Sequence, residues 1–175
     1  MAKNVAILAV NPVNGFGLFN YLENFFENGI SYKVFAVADT TTIKTNSGLT
    51  LVTDDVVANL KGKAAEFDAL VFACGDAIPV FRDHAAAQYN LDMLEVIKEF
   101  AGKDKMMIGH CASALMFEIA GIGATRKLAV HPLAKPAIQQ GVAVDDTVME
   151  DGNFFTAQTE QSISELMPLL LERLK

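Results

Sequence analysis

Short continuous apolar runs, separated by polar stretches of helical period, set the pattern of this chain. Asn4–Val10 is the first run, of strand length and without the alternation of a strand that faces water on one side. The loop Asn11–Gly17 follows, then a helix from Leu18 to Asn28 that Gly29 stops. Ser31–Val37 and Asp68–Cys74 repeat the strand pattern. Between them lie a threonine-rich stretch, a short hairpin arm at Leu49–Thr53, and Asp54, placed to cap a helix running towards Gly62. Asn90 to Gly102 carries apolar residues at 91, 94, 97 and 100, the spacing of a helix face. Lys105–Gly109 is a further strand, and Leu115–Gly121 a helix that closes on glycine. Val148–Thr156 reads as a hairpin turning at Asp151-Gly152. Ser162–Lys175 is a last amphipathic helix, with Pro168 placed to kink it.

Buried strands alternating with helices predict an α/β domain, its mainly parallel sheet covered on both faces. No repeat or linker divides residues 1–175, so one domain is expected. In such folds functional groups gather beyond the carboxyl ends of the strands. Here those ends are Asn11–Gly17, Cys74-Gly75 and Cys111.

Composition narrows the partners. With 51% hydrophobic and 20% charged residues, the chain folds as a globule. Its net charge of -7 and lack of a basic run exclude nucleic acid and anionic membrane surfaces. Apolar runs of about six residues are too short to span a bilayer. Met1-Ala-Lys-Asn-Val5 leads straight into a strand with no signal-peptide core, so a cytoplasmic location is expected. Two cysteines make no disulfide framework, and without a CxxC or His–Cys cluster neither zinc nor another metal is expected.

Candidate chemistry centres on Cys111. A cysteine at the corner between strand and helix sits on a tight turn with its sulfur exposed. The helix N-terminus behind it supplies N–H groups and partial positive charge, which favour thiolate. Serine hydrolases place their nucleophile at the same strand–turn–helix corner. The plainer alternative is a small buried hydrophobe.

With a cysteine elbow in this architecture, the chain resembles the ThiJ/PfpI superfamily, closest to its Parkinsonism-associated deglycase branch. The string His131-Pro132-Leu133-Ala134-Lys135, twenty residues after the cysteine, carries most of that resemblance. Glu66–Phe72, Gly48–Asp54 and Asp151–Thr156 add to it over nearly the whole chain. The resemblance implies a flavodoxin-like three-layer sandwich, a homodimer or higher homo-oligomer, and no resident cofactor. It does not settle function, since such proteins include glyoxalases, deglycases, proteases or amidases, chaperones and oxidation sensors.

The departures are as informative. The family's glutamate after the first strand, which contacts the cysteine sulfur, corresponds here to Gly17, and no Asp or Glu occurs from Met1 to Leu22. Its Pro-Gly-Gly turn is Ala73-Cys74-Gly75, the Gly-Pro after its cysteine is Ser113-Ala114, and its Gly-Pro-Gly-Thr loop is Thr159-Glu160-Gln161-Ser162. Gly75 and Ala112 can still offer paired N–H groups as an oxyanion hole. His131 is the candidate base or imidazolium partner, or else a loop cap; Glu160 is the candidate to orient it. His110 is expected to point away from Cys111 by strand alternation. Cys74 is either a resolving thiol for an oxidised Cys111 or a simple turn substitution. Arg82 and His84 could meet an anionic substrate, and Phe16 and Phe19 line a pocket or pack in the core.

Two functions of different class follow. One is a cysteine enzyme, hydrolase, glyoxalase or deglycase in type, acting on small carbonyl or acyl compounds. The other is a redox-sensing or ligand-binding module that holds a flavin, nucleotide or metabolite near Asn11, Asn14, Gly15 and Gly17.

Overall fold

The computed structural model describes residues 3–175. Five strands run parallel: β1 (Asn4–Ala9), β2 (Ser31–Ala36), β5 (Asp55–Val56), β6 (Ala69–Ala73) and β7 (Met106–His110). The small pairs β3 (Thr42–Lys44) with β4 (Thr50–Val52), and β8 (Lys127–Leu128) with β9 (Val142–Ala143), stand outside the main sheet. The hairpin β10 (Val148–Asp151) and β11 (Phe154–Ala157) completes a seven-stranded sheet of order β10-β11-β7-β6-β1-β2-β5. β11 is parallel to β7 and β10 antiparallel to β11. Four helices cover the faces: α1 (Gly15–Glu27), α2 (Gln88–Gly102), α3 (Ser113–Ile119) and α4 (Ile163–Leu174).

The central strands are apolar throughout because both faces are covered. Val5 to Ala9 of β1 and all of β6 are buried. α1 buries Leu18, Tyr21 and Phe25 along one face, each fully buried aromatic contributing about 1.5–3 kcal/mol of transfer free energy. α4 continues through Pro168, which removes one donor from the ladder, while Ile163, Leu166, Met167, Leu170 and Leu174 hold the helix to the sheet.

Three expectations need correction. Asp54 caps no helix: its carboxylate accepts from the Val34 N–H (2.8 Å) and pins the two-residue edge strand β5 beside β2. Only a 3-10 turn, Val57–Leu60, follows before Gly62. α1 starts at Gly15, three residues earlier than Leu18, because the Asn14 side chain accepts from the Gly17 N–H (2.7 Å) as an N-cap. Phe16 and Phe19 neither line a pocket nor enter the core; with Phe26 they are exposed on α1.

Candidate active site

Cys111 is the first of the two residues between β7 and α3, with φ +57°. A non-glycine residue in that region costs about 1–3 kcal/mol, so the surroundings must hold it there. Its N–H donates to Ala157 O (3.0 Å) and its carbonyl accepts from His131 N–H (3.0 Å), which clamps the corner between β11 and the His131 loop. The penultimate residue of the preceding strand is Gly109, where a Cβ would stand 2.1 Å from the Ser113 hydroxyl, so glycine there lets α3 pack this closely on the strand.

The neighbouring strand delivers Cys74. β6 and β7 pair Phe72 with Gly109, so two residues further Cys74 comes opposite Cys111. Cys74 is buried and Cys111 half-buried, and both are free thiols. The Cys74 thiol donates to the Cys111 sulfur, which is the main cause holding Cys111 below its ordinary thiol range. The Ala112 N–H adds to this, while burial and the Glu160 and Asp76 carboxylates oppose it. Cys74 is pushed well up by the same hydrogen bond and by burial. The pair thus favours one shared proton, seated on Cys74.

Both cysteines line a cleft of about 1260 Å³, with Cys111 the more exposed of the two. Its floor carries Cys74, Gly75, His110, Cys111 and Ala112, and Leu115, Ile119 and Leu133 form an apolar wall. Glu160, Asp76 and His131 border it, and Arg82 is its one Lys or Arg side chain among the described residues. His84 stands outside; its carbonyl caps the Asn90 side chain (2.8 Å). The Ala112 and Gly75 N–H groups are both directed at sulfur, Ala112 at each of the two and Gly75 at Cys74. Gly75 is obligatory for packing: a Cβ there would meet Pro12 O at 2.2 Å.

His110 turns towards α1, yet its ring also edges the cleft. It is fully buried, with Nδ1 at 3.3 Å from the Tyr21 hydroxyl and Nε2 without a partner. Burial pushes its pKa down to about 4, against the pull of Glu160. Nε2 lies 2.7 Å from where a Cβ on Gly17 would be, so the imidazole occupies the space any side chain at 17 would need. His131 is the N-cap of a 3-10 turn at Pro132–Ala137, its Nδ1 accepting from the Leu133 N–H (3.2 Å).

The Asn11–Gly17 loop divides. Only Asn14 reaches the cleft. Asn11 Oδ1 accepts from Lys44 N–H (3.0 Å), Gly15 packs on Thr45, and Gly17 faces His110. The N–H groups of Val13 and Asn14 are spent on Lys44 O and Cys74 O, so the loop is a joint between elements. Tyr21, Asp76 and Glu118 escaped the sequence reading. Glu118 carried the only available signal, as a carboxylate within an otherwise apolar helix. It is buried and accepts from the N–H groups of Gln139, Gln140 and Gly141, fastening the cleft wall to α3. Among the described residues no group of three or more His, Cys, Asp or Glu side chains is placed to hold a metal, and no helix is long and apolar enough to cross a membrane.

A mainly parallel α/β sandwich with a positive-φ cysteine at a strand–helix corner defines a recognisable class of fold and site. The chain belongs to the DJ-1/PfpI family, whose model matches residues 3–173. Protein ppBat of Bacteroides thetaiotaomicron is 66% identical over 175 residues, covering all of both chains. The crystal structure of the "putative protease I" of Bacteroides thetaiotaomicron has a TM-score of 0.98 at 66% identity, covering 99% of this chain and 100% of that one. DJ-1beta of Drosophila melanogaster has a TM-score of 0.83 at 19% identity, covering 99% of this chain and 91% of that one, a likeness of fold.

Proposed function

We propose that this protein is a cysteine-dependent enzyme, hydrolase-like in type, acting on small carbonyl or acyl compounds. The observation that carries this reading is the corner itself: Cys111 at φ +57° on the floor of a cleft, its sulfur taking donors from both Cys74 and Ala112. The Cys111 thiolate attacks the carbonyl carbon, and the C–O π pair moves to oxygen beside the Ala112 and Gly75 N–H groups. The tetrahedral intermediate collapses, the bond to the leaving group breaks, and the leaving group takes its proton from water. His131, its Nδ1 accepting from the Leu133 N–H, presents its Nε2–H to the leaving group as a hydrogen-bond donor. Water then attacks the thioester, the C–S bond breaks to return the Cys111 thiolate, and Glu160, which borders the cleft, takes the water's proton. A relative whose name contains "protease I" supports the hydrolytic direction. The exposed apolar residues Phe16, Phe19 and Phe26 on α1 support pairing into a homodimer.

The test uses p-nitrophenyl acetate. An acetyl group mapped to the Cys111 peptide, with p-nitrophenol release lost in Cys111→Ser, is the expected result. Equal release by wild type and Cys111→Ser would overturn the reading.

A further inference from the structure

The mechanism above uses Cys74 only as a hydrogen-bond donor, yet its placement allows more. Neighbouring strands lie about 4.8 Å apart, inside the Cα range of about 4.4–6.8 Å that a disulfide bridges. Extending the β6–β7 register sets Cys74 directly across from Cys111. The two cysteines line the same cleft, and Cys111 is the more exposed of them. We propose that Cys74 and Cys111 form a dithiol redox site that reduces small hydroperoxides and closes as an internal disulfide.

The chemistry balances in two steps. The Cys111 thiolate attacks the outer oxygen of a hydroperoxide; the O–O bond breaks, and the alkoxide or hydroxide leaves and takes a proton from water. Cys111 is then a sulfenic acid, oxidised by two electrons, and the peroxide has been reduced to alcohol or water. The Cys74 sulfur attacks the Cys111 sulfur, the S–O bond breaks, and hydroxide departs with the Cys74 proton as a second water.

Local charge favours this end over further oxidation at Cys111. A sulfinate would be a permanent anion facing Glu160 and Asp76, both of which already oppose negative charge on that sulfur. No acid side chain stands at Gly17 to share a proton with it. A disulfide is neutral and leaves the Ala112 N–H free for the cleft. Reduction by an external thiol must begin at the cleft-facing Cys111 sulfur and expel Cys74. Burial alone still disfavours a Cys74 thiolate, so Cys74 is a poor leaving group and the disulfide persists long enough to isolate.

The proposal shares the Cys111 thiolate with the acyl chemistry but not its oxyanion step. The test treats the reduced full-length protein with a modest excess of hydrogen peroxide, blocks residual thiols, and measures intact mass and peptides. Wild type should lose two hydrogens, yield a linked Cys74–Cys111 peptide and recover both thiols with a phosphine. Cys74→Ser should instead gain oxygen atoms on Cys111. Oxygen gain without linkage in wild type overturns the proposal, and this needs no variant to fold. Acetylation of Cys111 by p-nitrophenyl acetate is scored on a separate, peroxide-free aliquot of the same reduced protein. Acetylation without linkage would sink the dithiol site alone, and linkage without acetylation would sink the acyl reading alone.

Discussion

His110 Nε2 lies 2.7 Å from the point where a Cβ on Gly17 would stand, and the same ring nitrogen has no hydrogen-bond partner. The two residues therefore fit only as a pair: the glycine makes room for a buried imidazole. Gly17→Ala alone should destabilise the protein by about 1–3 kcal/mol, the usual cost of overpacking a filled interior. In a His110→Ala background the same change should cost much less, because the clash is gone. A double-mutant cycle by urea denaturation checks this; additive costs would mean the two side chains do not compete for one space.

The same burial makes His110 a source of acid sensitivity. Its pKa is about 4 in the folded protein, against 6.5 for an ordinary histidine. Above pH 6.5 both states are neutral and the residue contributes nothing to pH dependence. Between pH 6.5 and 4 the unfolded chain takes up a proton that the folded one refuses, so stability falls as pH falls. The full loss is on the order of 3 kcal/mol from a shift of this size. Glu118, Asp55, Asp92 and Asp145, all held below their ordinary range, lose their contributions lower down, as pH falls through the carboxylate region. His110→Asn should flatten the pH 6.5–4 limb in chemical denaturation, and an unchanged limb would assign it to other groups.

Much of the fold could be read from runs of apolar residues, because strands covered on both faces leave no polar positions to interrupt the pattern. β1 and β6 are of this kind, β2 and β7 carry enough of the same apolar run to be read, and the Asp151-Gly152 turn carried its own signal. β5 could not be read, since two residues carry no period and Asp54 looks the same as a cap or as a strand anchor. The site was half legible. Cys111 and Gly75 were marked by local sequence, but the His110–Gly17 fit joins residues 93 positions apart and depends on the separation of β7 from α1. Alternation carried no sign that the His110 ring would meet Tyr21 and Gly17 and still edge the cleft. Phe16 and Phe19 misled because a helical stripe of phenylalanine has the same pattern whether it meets a core or remains open.

Removing the Cys74 thiol should weaken Cys111 as an acid. Its donation is the largest cause of the low Cys111 pKa, and the Ala112 N–H remains afterwards. In Cys74→Ala the pH profile of Cys111 alkylation, followed by peptide mass spectrometry with iodoacetamide, should move to higher pH and slow at neutrality. A profile that stays in place would mean the helix corner alone sets the acidity.

Glu118 should control the cleft wall without touching substrate. Its carboxylate gathers three successive N–H groups, from Gln139, Gln140 and Gly141, and so joins the loop that borders the cleft to α3. Burial favours its protonated form, but the three donors outweigh this and keep it ionised. In Glu118→Ala the loop amides lose their acceptor and are exposed enough to find water, so the expected cost is about 1–3 kcal/mol, short of unfolding. Glu118→Gln keeps one acceptor oxygen and should fall between. Hydrogen exchange discriminates: amide protection at 139–141 should drop in both variants while β1 and β6 amides shift only with global stability. If the loop amides remain as slow as in wild type, the carboxylate is not what holds them, and the wall owes its position to the β8–β9 pair.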